Sequence, residues 1–273
     1  ITIEANPKTV DKDELLELKS AGFNRISIGI QSFNDNELKL LGRQHNSDDA
    51  ISAFKAARCA NFNNIGIDLI YGIPYQKMED WEDTLGKAIK LDPEHISIYS
   101  LSIEKGTLFD KYVAEDKIFL LSDDKAADMY NTAYTRLKEA GYIPYEISNF
   151  SKPGYFSIHN HIYWNNGEYI GFGVGAYSYI NKNRSWNISD ISKYIEMNGD
   201  AIEGQEHLKA GQILAETIMV RLRTIDGIDI GGLNSMFKID FLRQYKEKIP
   251  KLMDAGLVEI TDNHLKLTRK GIL

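Results

Sequence analysis

The residues able to do chemistry recur at regular places in the first 150 positions. Each predicted strand carries polar side chains at or near its C-terminal end. They are Glu4 and Asn6, then Gln31 and Ser32, then Asp68, then Ser100 and Ser102, then Glu146, Ser148 and Asn149. Asp68 interrupts the otherwise apolar run NIGIDLIY, and a carboxylate there needs a partner or a polar cavity. These groups accept hydrogen bonds from amines and ribose hydroxyls. Arg43, in LLGRQH, offers a guanidinium suited to bidentate recognition of a carboxylate. The set suits a ligand with an amino-acid head and a ribose. Any one of these positions, read alone, is equally a solvated turn or a surface arginine; the recurrence at every strand, and Asp68 above all, speaks for a site.

A second constellation is His159-Asn160-His161-Ile162-Tyr163-Trp164. Its histidines could ligate iron axially, with Tyr163 and Trp164 flanking a flat ligand. The alternative is a polar loop at a barrel mouth, where Tyr and Trp bury their rings and bond through OH or NH; residue type alone favours it. GFGVGA at Gly171–Ala176 looks like a phosphate loop. Its spacing is not the full dinucleotide fingerprint, and its apolar filling fits close backbone packing.

The elements that must position these residues alternate. Ile1–Ala5, Arg25–Ile30, Asn64–Tyr71, His95–Leu101 and Ile143–Ser148 read as strands. Helices are predicted between them, one opened by Asp11 with Glu14 as its capping box, others over Asn36–Leu41, Ser47–Ala60, Glu79–Leu91 and Ser122–Ala140. Strands joined by crossover helices imply parallel pairing and an α/β class. They are too few for a closed eight-stranded barrel, and no glycine-rich fingerprint opens the first βα turn. An incomplete parallel (β/α) barrel fits best, and in such barrels chemistry sits at the C-terminal strand ends.

Positions 150–200, rich in Gly, Asn, Tyr and Trp, read as loop and β structure laid against one end of that sheet. A helical pattern from Gln205 places Leu214, Ile218 and Leu222 in register, and the tail predicts a strand pair turning at Asp262–Asn263. This resembles a winged-helix unit. The expected division is a barrel with its HNxxYW loop region over 1–200 and a small C-terminal helical, winged-helix-like domain over 201–273.

Composition bounds the function. The 273 residues are 43% hydrophobic and 26% charged, an ordinary globular mixture. A net charge of -7 argues against a dominant nucleic-acid footprint, which would be basic. No apolar run approaches the ~20 residues of a membrane span, and the start lacks the regions of a signal peptide, so cytoplasm is the default. The single cysteine, Cys59, excludes an internal disulfide framework and a cysteine-held cluster within this chain. The chain opens on Ile1 in a run already at full strand strength. That predicts either a missing N-terminal part, with Ile1–Ala5 an edge strand open on one side, or a trimmed mature start.

The motifs carry a resemblance. EANP at Glu4–Pro7, GFNRISIGIQSF at Gly22–Phe33, LGRQH at Leu41–His45, IDLIYGIP at Ile67–Pro74, HISIYSLSIEKGT at His95–Thr107 and YEISNF at Tyr145–Phe150 resemble the radical S-adenosylmethionine (SAM) proteins of the oxygen-independent coproporphyrinogen III oxidase family. The similarity runs in order over nearly the whole chain. HNHIYW is similar to the HNxxYW motif of that family's haem chaperone branch.

The resemblance implies that Glu4, Gln31, Arg43 and Asp68 contact SAM, with Asp68 and Gln31 at the ribose and Arg43 at the methionine carboxylate. Ser102 falls where the oxidase branch has a further contact. For haem it implies His159 first and His161 second, with Tyr163 and Trp164 against the porphyrin near the open strand-end face. The family's [4Fe-4S] cluster is held by a CxxxCxxC loop, followed by a GGGTP segment, both ahead of EANP. Neither occurs in this sequence, so the chain as given is expected to bind no cluster and start no radical. The implied partners are haem and a haem-accepting protein, and no nucleic acid. The alternative is the oxidase, which decarboxylates coproporphyrinogen; it needs cations for a tetracarboxylate, and no arginine cluster stands near the strand ends, Arg184 and Arg221 reading as isolated. A third, weaker alternative makes the tail a nucleic-acid or partner-binding module.

Overall fold

Isoleucine alternating with polar residues builds the central sheet. In a computed structural model, which describes residues 1–198 and 201–273, the chain forms two compact units, Ile1–Phe156 and Ser157–Leu273. The first runs β1 (Thr2–Ala5), α1 (Lys12–Ser20), β2 (Arg25–Gln31), α2 (Asp35–Leu40), α3 (Ser47–Cys59), β3 (Ile65–Tyr71), α4 (Met78–Leu91), β4 (His95–Ser100), α5 (Leu108–Ala114), α6 (Asp123–Glu139), β5 (Ile143–Pro144) and β6 (Asn149–Ser151). The sheet order is β1-β2-β3-β4-β6-β5. β1 to β4 pair in parallel, as strands joined by crossover helices must. β1 pairs with β2 on one side, and among the described residues no strand pairs with its other side.

One face of this sheet lies under the helices. Ile26, Ile28, Ile30, Ile65, Ile67, Leu69, Ile96 and Ile98 are each at most 1% exposed, and burying each such side chain contributes about 1.5–3 kcal/mol. Caps fix the helix starts. Asp11 accepts from the backbone N–H groups of Asp13 and Glu14 while the Glu14 carboxylate takes the Asp11 N–H, the capping box expected. α3 is capped one residue earlier than expected, by Asn46 with Asp49 rather than by Ser47. Trp81 of α4, fully buried, donates from Nε1 to the Met129 carbonyl of α6 at 2.9 Å and leans on Tyr71 of β3.

The fifth expected strand, Ile143–Ser148, does not run parallel beside β4. The buried Glu146 carboxylate accepts from the Ser148 N–H and from Asn149 Nδ2, and the Tyr145 N–H bonds the Asn149 carbonyl. These bonds close a turn. The chain reverses, β6 pairs antiparallel with β4, and β5 pairs antiparallel with β6.

The second unit runs α7 (Ile158–Trp164), β7 (Tyr177–Ile180), β8 (Asn183–Asn187), α8 (Ile191–Glu196), β9 (Ile202–His207), α9 (Ala210–Leu222), β10 (Ile228–Asp229), α10 (Ile230–Phe237), α11 (Phe241–Gln244), α12 (Ile249–Asp254), β11 (Val258–Thr261), β12 (His264–Leu267) and α13 (Arg269–Ile272). The boundary expected at residue 200 falls on 199–200, outside the described residues. β8 pairs with β9 across that position, so the compact units divide ahead of α7 instead. Gln205 lies in β9 and not in a helix. Arg184, expected to be isolated, bonds Glu206 of β9 at 2.9 Å and Glu216 of α9 at 2.6 Å, which holds its guanidinium firmly protonated.

The C-terminal part is winged-helix-like. Leu214, Ile228, Leu233, Phe241, Val258 and Leu265 form its core, and β10, β12 and β11 make a small sheet in that order. β11 and β12 turn at Asp262 and Asn263, at φ 51° and 61°, the left-handed pair of a type I′ hairpin.

Candidate functional site

The sheet face opposite the helices is polar because every second strand residue is. Register places Glu4 of β1 beside Ser27 of β2, Ser27 beside Gly66 of β3, Gly66 beside His95 of β4, and Asp68 beside Ser97. Ser27 Oγ donates to the Asp68 carboxylate at 3.3 Å. Burial pushes the Asp68 carboxyl up and nearby Glu4 adds to that, while hydrogen bonds from Ser97 and Ser27 and the charge of Arg25 pull it down.

Gln31 closes the same face from above. It is 8% exposed at φ 69°, where β2 breaks register between Ile28 and Gln31. Its amide turns back over Gly29: a Cβ at 29 would lie 2.8 Å from Gln31 Nε2 and 3.3 Å from Asn6 Oδ1. Arg43 Nη1 donates to that same Asn6 Oδ1 at 3.2 Å. The expected residues thus form two adjoining groups, Glu4–Ser27–Asp68–Ser97 and Asn6–Gln31–Arg43. Ser102 stands apart, exposed in the loop after β4.

Several buried groups at the site escaped sequence reasoning. Arg25 lies on the same face. His95 Nε2 bonds Tyr145 Oη at 2.7 Å, and burial, with Arg25 nearby, pushes the imidazole down to about 3. His95 is therefore neutral at ordinary pH. Below the Gln31 group, Glu37 of α2 takes hydrogen bonds from Ser32 Oγ and Gln76 Nε2, and Gln76 Oε1 holds the Gly72 and Ile73 N–H groups. That chain of bonds fixes the turn following β3, and burial raises the Glu37 carboxyl.

In the second unit, HNHIYW is a helix rather than a loop. Ser157 caps it by accepting from the Asn160 N–H at 3.3 Å, and Asn166 Nδ2 bonds Thr217 Oγ1 of α9. α7 divides its motif between two faces. His159 is exposed, its ring edge-on to Tyr163 at 4.8 Å, and Tyr163 meets Tyr169 at 4.8 Å. Trp164 is partly buried under the Arg223 guanidinium, 4.8 Å from its ring; His161 is partly buried too.

GFGVGA is stitched to its neighbours. The Gly171 N–H bonds Ser178 Oγ, the Gly173 N–H bonds Tyr194 Oη, and the Gly175 N–H bonds the Ile188 carbonyl, all at 3.0 Å. These N–H groups are committed to protein, which agrees with a structural loop. The expected apolar filling is only partly inside, since Phe172 is 87% exposed.

The residues of this chain do not fit a [4Fe-4S] cluster. Cys59 is exposed at the end of α3, and among the described residues no three His, Cys, Asp or Glu side chains converge on a metal position. No helix among them is long and apolar enough to cross a membrane.

Residues 1–88 match the family model "Radical SAM superfamily" and residues 208–273 match "HemN C-terminal domain". The chain is 32% identical to "Heme chaperone HemW" of Bacillus subtilis (strain 168), over 99% of this chain and 72% of that protein. It is 34% identical to the protein of the same name from Lactococcus lactis, with the same coverage. Among solved structures it superposes on "Coproporphyrinogen III oxidase (HemN) from Escherichia coli" with a TM-score of 0.82, covering 100% of this chain and 67% of that one. At 23% identity that likeness speaks for the fold: a parallel-sheet radical SAM architecture with a C-terminal domain. Together with the polar inner face and the HNxxYW helix, the identity to the chaperones shows that the chain belongs to the HemW family of radical SAM proteins.

Proposed function

We propose that this chain belongs to a haem-binding chaperone that carries SAM on the inner face of its half-barrel and passes haem to an accepting protein in the cytoplasm. The observation that carries the haem half is the exposure of His159. It stands on a capped helix with Tyr163 edge-on beside it, and an imidazole presented beside an aromatic ring suits axial ligation of a porphyrin iron. His161 is the second candidate. Tyr163 offers ring surface to the porphyrin, and Trp164, clamped under Arg223, backs the same helix.

For SAM the residues fit. Asp68 and Gln31 suit the ribose hydroxyls, Arg43 the methionine carboxylate, and Glu4 the ammonium. Ser102 completes the set only as a loop contact. Bound there, SAM would supply an adenosyl group and a sulfonium; what these residues do is hold and orient it. The oxidase reading gains nothing at Arg184, which is engaged by Glu206 and Glu216.

Haem titration tests the proposal. His159→Ala should weaken haem binding by about tenfold or more and move the Soret band, as expected for loss of an axial ligand, while a SAM analogue still binds. Unchanged stoichiometry and spectrum in both His159→Ala and His161→Ala would remove the motif as the iron ligand.

A further inference from the structure

Gln31 ends β2 in a conformation that few side chains adopt. Its φ is 69°, in the left-handed region that strains any residue with a Cβ. The strain sits at a break in pairing. Ile28 pairs with Ile67 and Gln31 with Leu69, so β2 advances three residues while β3 advances two, as at a β-bulge. The bulge turns the Gln31 amide back over Gly29. Such a backbone persists only where its surroundings over-determine it.

The anchors lie on either side of Gln31. The Ile30 carbonyl accepts from the Ser32 N–H at 2.9 Å and bonds His45 Nε2 at 3.0 Å. Ser32 is fully buried. Its Oγ donates to Glu37 Oε2 at 2.5 Å and accepts from the Asn34 N–H at 3.0 Å. The same Glu37 oxygen accepts from Gln76 Nε2 at 3.1 Å. Gln76 Oε1 accepts in turn from the Gly72 and Ile73 N–H groups at 2.9 and 3.3 Å, in the turn that leaves β3. One oxygen of α2 therefore spans the ends of the two strands that carry Gln31 and Asp68. The other oxygen, Glu37 Oε1, is buried with no hydrogen-bond partner. A buried acceptor left unmet is costly and calls for a reason. The two bonds at Oε2 supply one.

We infer that Glu37 is a positioning residue for the ligand site: by anchoring Ser32 and, through Gln76, the turn after β3, it holds Gln31 in its left-handed conformation, with the amide turned toward the ribose of an adenosyl ligand. The inference rests on the ribose reading of Gln31 given above. Glu37 acts through Ser32, one peptide unit away from Gln31.

The test is read first at Gln31 itself. Its Cα and Cβ chemical shifts, measured by NMR on the whole labelled chain, report the left-handed backbone and need no ligand. Glu37→Leu removes both bonds at Oε2 and should move these shifts toward extended-strand values. Glu37→Gln keeps an acceptor at that place and should leave them as in wild type, a rescue that general destabilisation would not produce. Ser32→Ala cuts the tie from the other end, should move the shifts as Glu37→Leu does, and serves if Glu37→Leu fails to fold. Unmoved shifts in the folded variant overturn the inference. Calorimetric titration of S-adenosylhomocysteine reads the consequence. If the left-handed state falls to about a tenth of the molecules, affinity in Glu37→Leu falls about tenfold, while Glu37→Gln stays within about threefold of wild type. Gln31→Ala separates the two claims. If it binds S-adenosylhomocysteine as tightly as wild type, the ribose reading of Gln31 falls, while the shifts still decide whether Glu37 holds the bulge. If Gln31→Ala binds weakly and Glu37→Leu binds as wild type does, the positioning role falls.

Discussion

Asp68→Ala loses about two to four orders of magnitude in affinity for S-adenosylhomocysteine and keeps its melting temperature almost unchanged. The size follows from two hydrogen bonds to a charged acceptor, each worth about 1.5–3 kcal/mol. The near-neutral stability has a separate cause. Burial disfavours the Asp68 carboxylate, so removing it relieves a desolvation penalty that offsets the loss of long contacts to Ser27 at 3.3 and 3.4 Å, the bond from Ser97 and the attraction of Arg25. Calorimetry and a circular-dichroism melt on the same sample decide the matter. Unchanged affinity with a drop of several degrees would make Asp68 a structural residue and remove it from the ligand site.

Trp81→Ala should cost about 3–5 kcal/mol, the range for deleting a large buried aromatic. Trp81 is fully buried between α4, α6 and β3, its indole N–H tied to the Met129 carbonyl at 2.9 Å and its ring 5.9 Å from Tyr71. Alanine leaves a cavity and removes the indole bond that ties α4 to the Met129 carbonyl of α6. Trp81→Phe keeps most of the volume, loses the hydrogen bond, and should cost about 1–3 kcal/mol. Urea unfolding followed by far-ultraviolet circular dichroism gives both values. A loss under about 1 kcal/mol for Trp81→Ala would mean that the helix layer closes around the gap.

Local signals were legible in the sequence where a single segment decides the outcome. The isoleucine alternation of β2 and β3, the Asp11–Glu14 box and the Asp262–Asn263 turn each needed only near neighbours, and each forms as expected. Alternation also puts Asp68 on the polar face beside Ser97, but it does not account for Gln31, which follows a break in the β2 register. What failed to show was set by distant partners. Arg25 reads as a surface charge at a strand start until register puts Gly66 beside Ser27. His95 and Tyr145 are 50 residues apart and meet only because β6 reverses. That reversal hangs on Glu146, whose carboxylate reads in sequence like any strand-end acid. The HNHIYW segment read as loop because Asn, His, Tyr and Trp are mediocre helix formers; the Ser157 cap and the anchor at Thr217 outweigh that preference. β9 escaped because IEGQEH carries too few apolar residues to alternate visibly.

The loop tip at Phe172 has an optical consequence. Phe172 is 87% exposed, and Ile170 two residues before it is 60% exposed. Environment-sensitive dyes fluoresce on such apolar surface as they do on partly unfolded chains. The native protein should therefore glow before any heating. A dye-reported melt would start from a high baseline and understate the transition, whereas Trp81, sealed in the other unit, reports unfolding through its own emission.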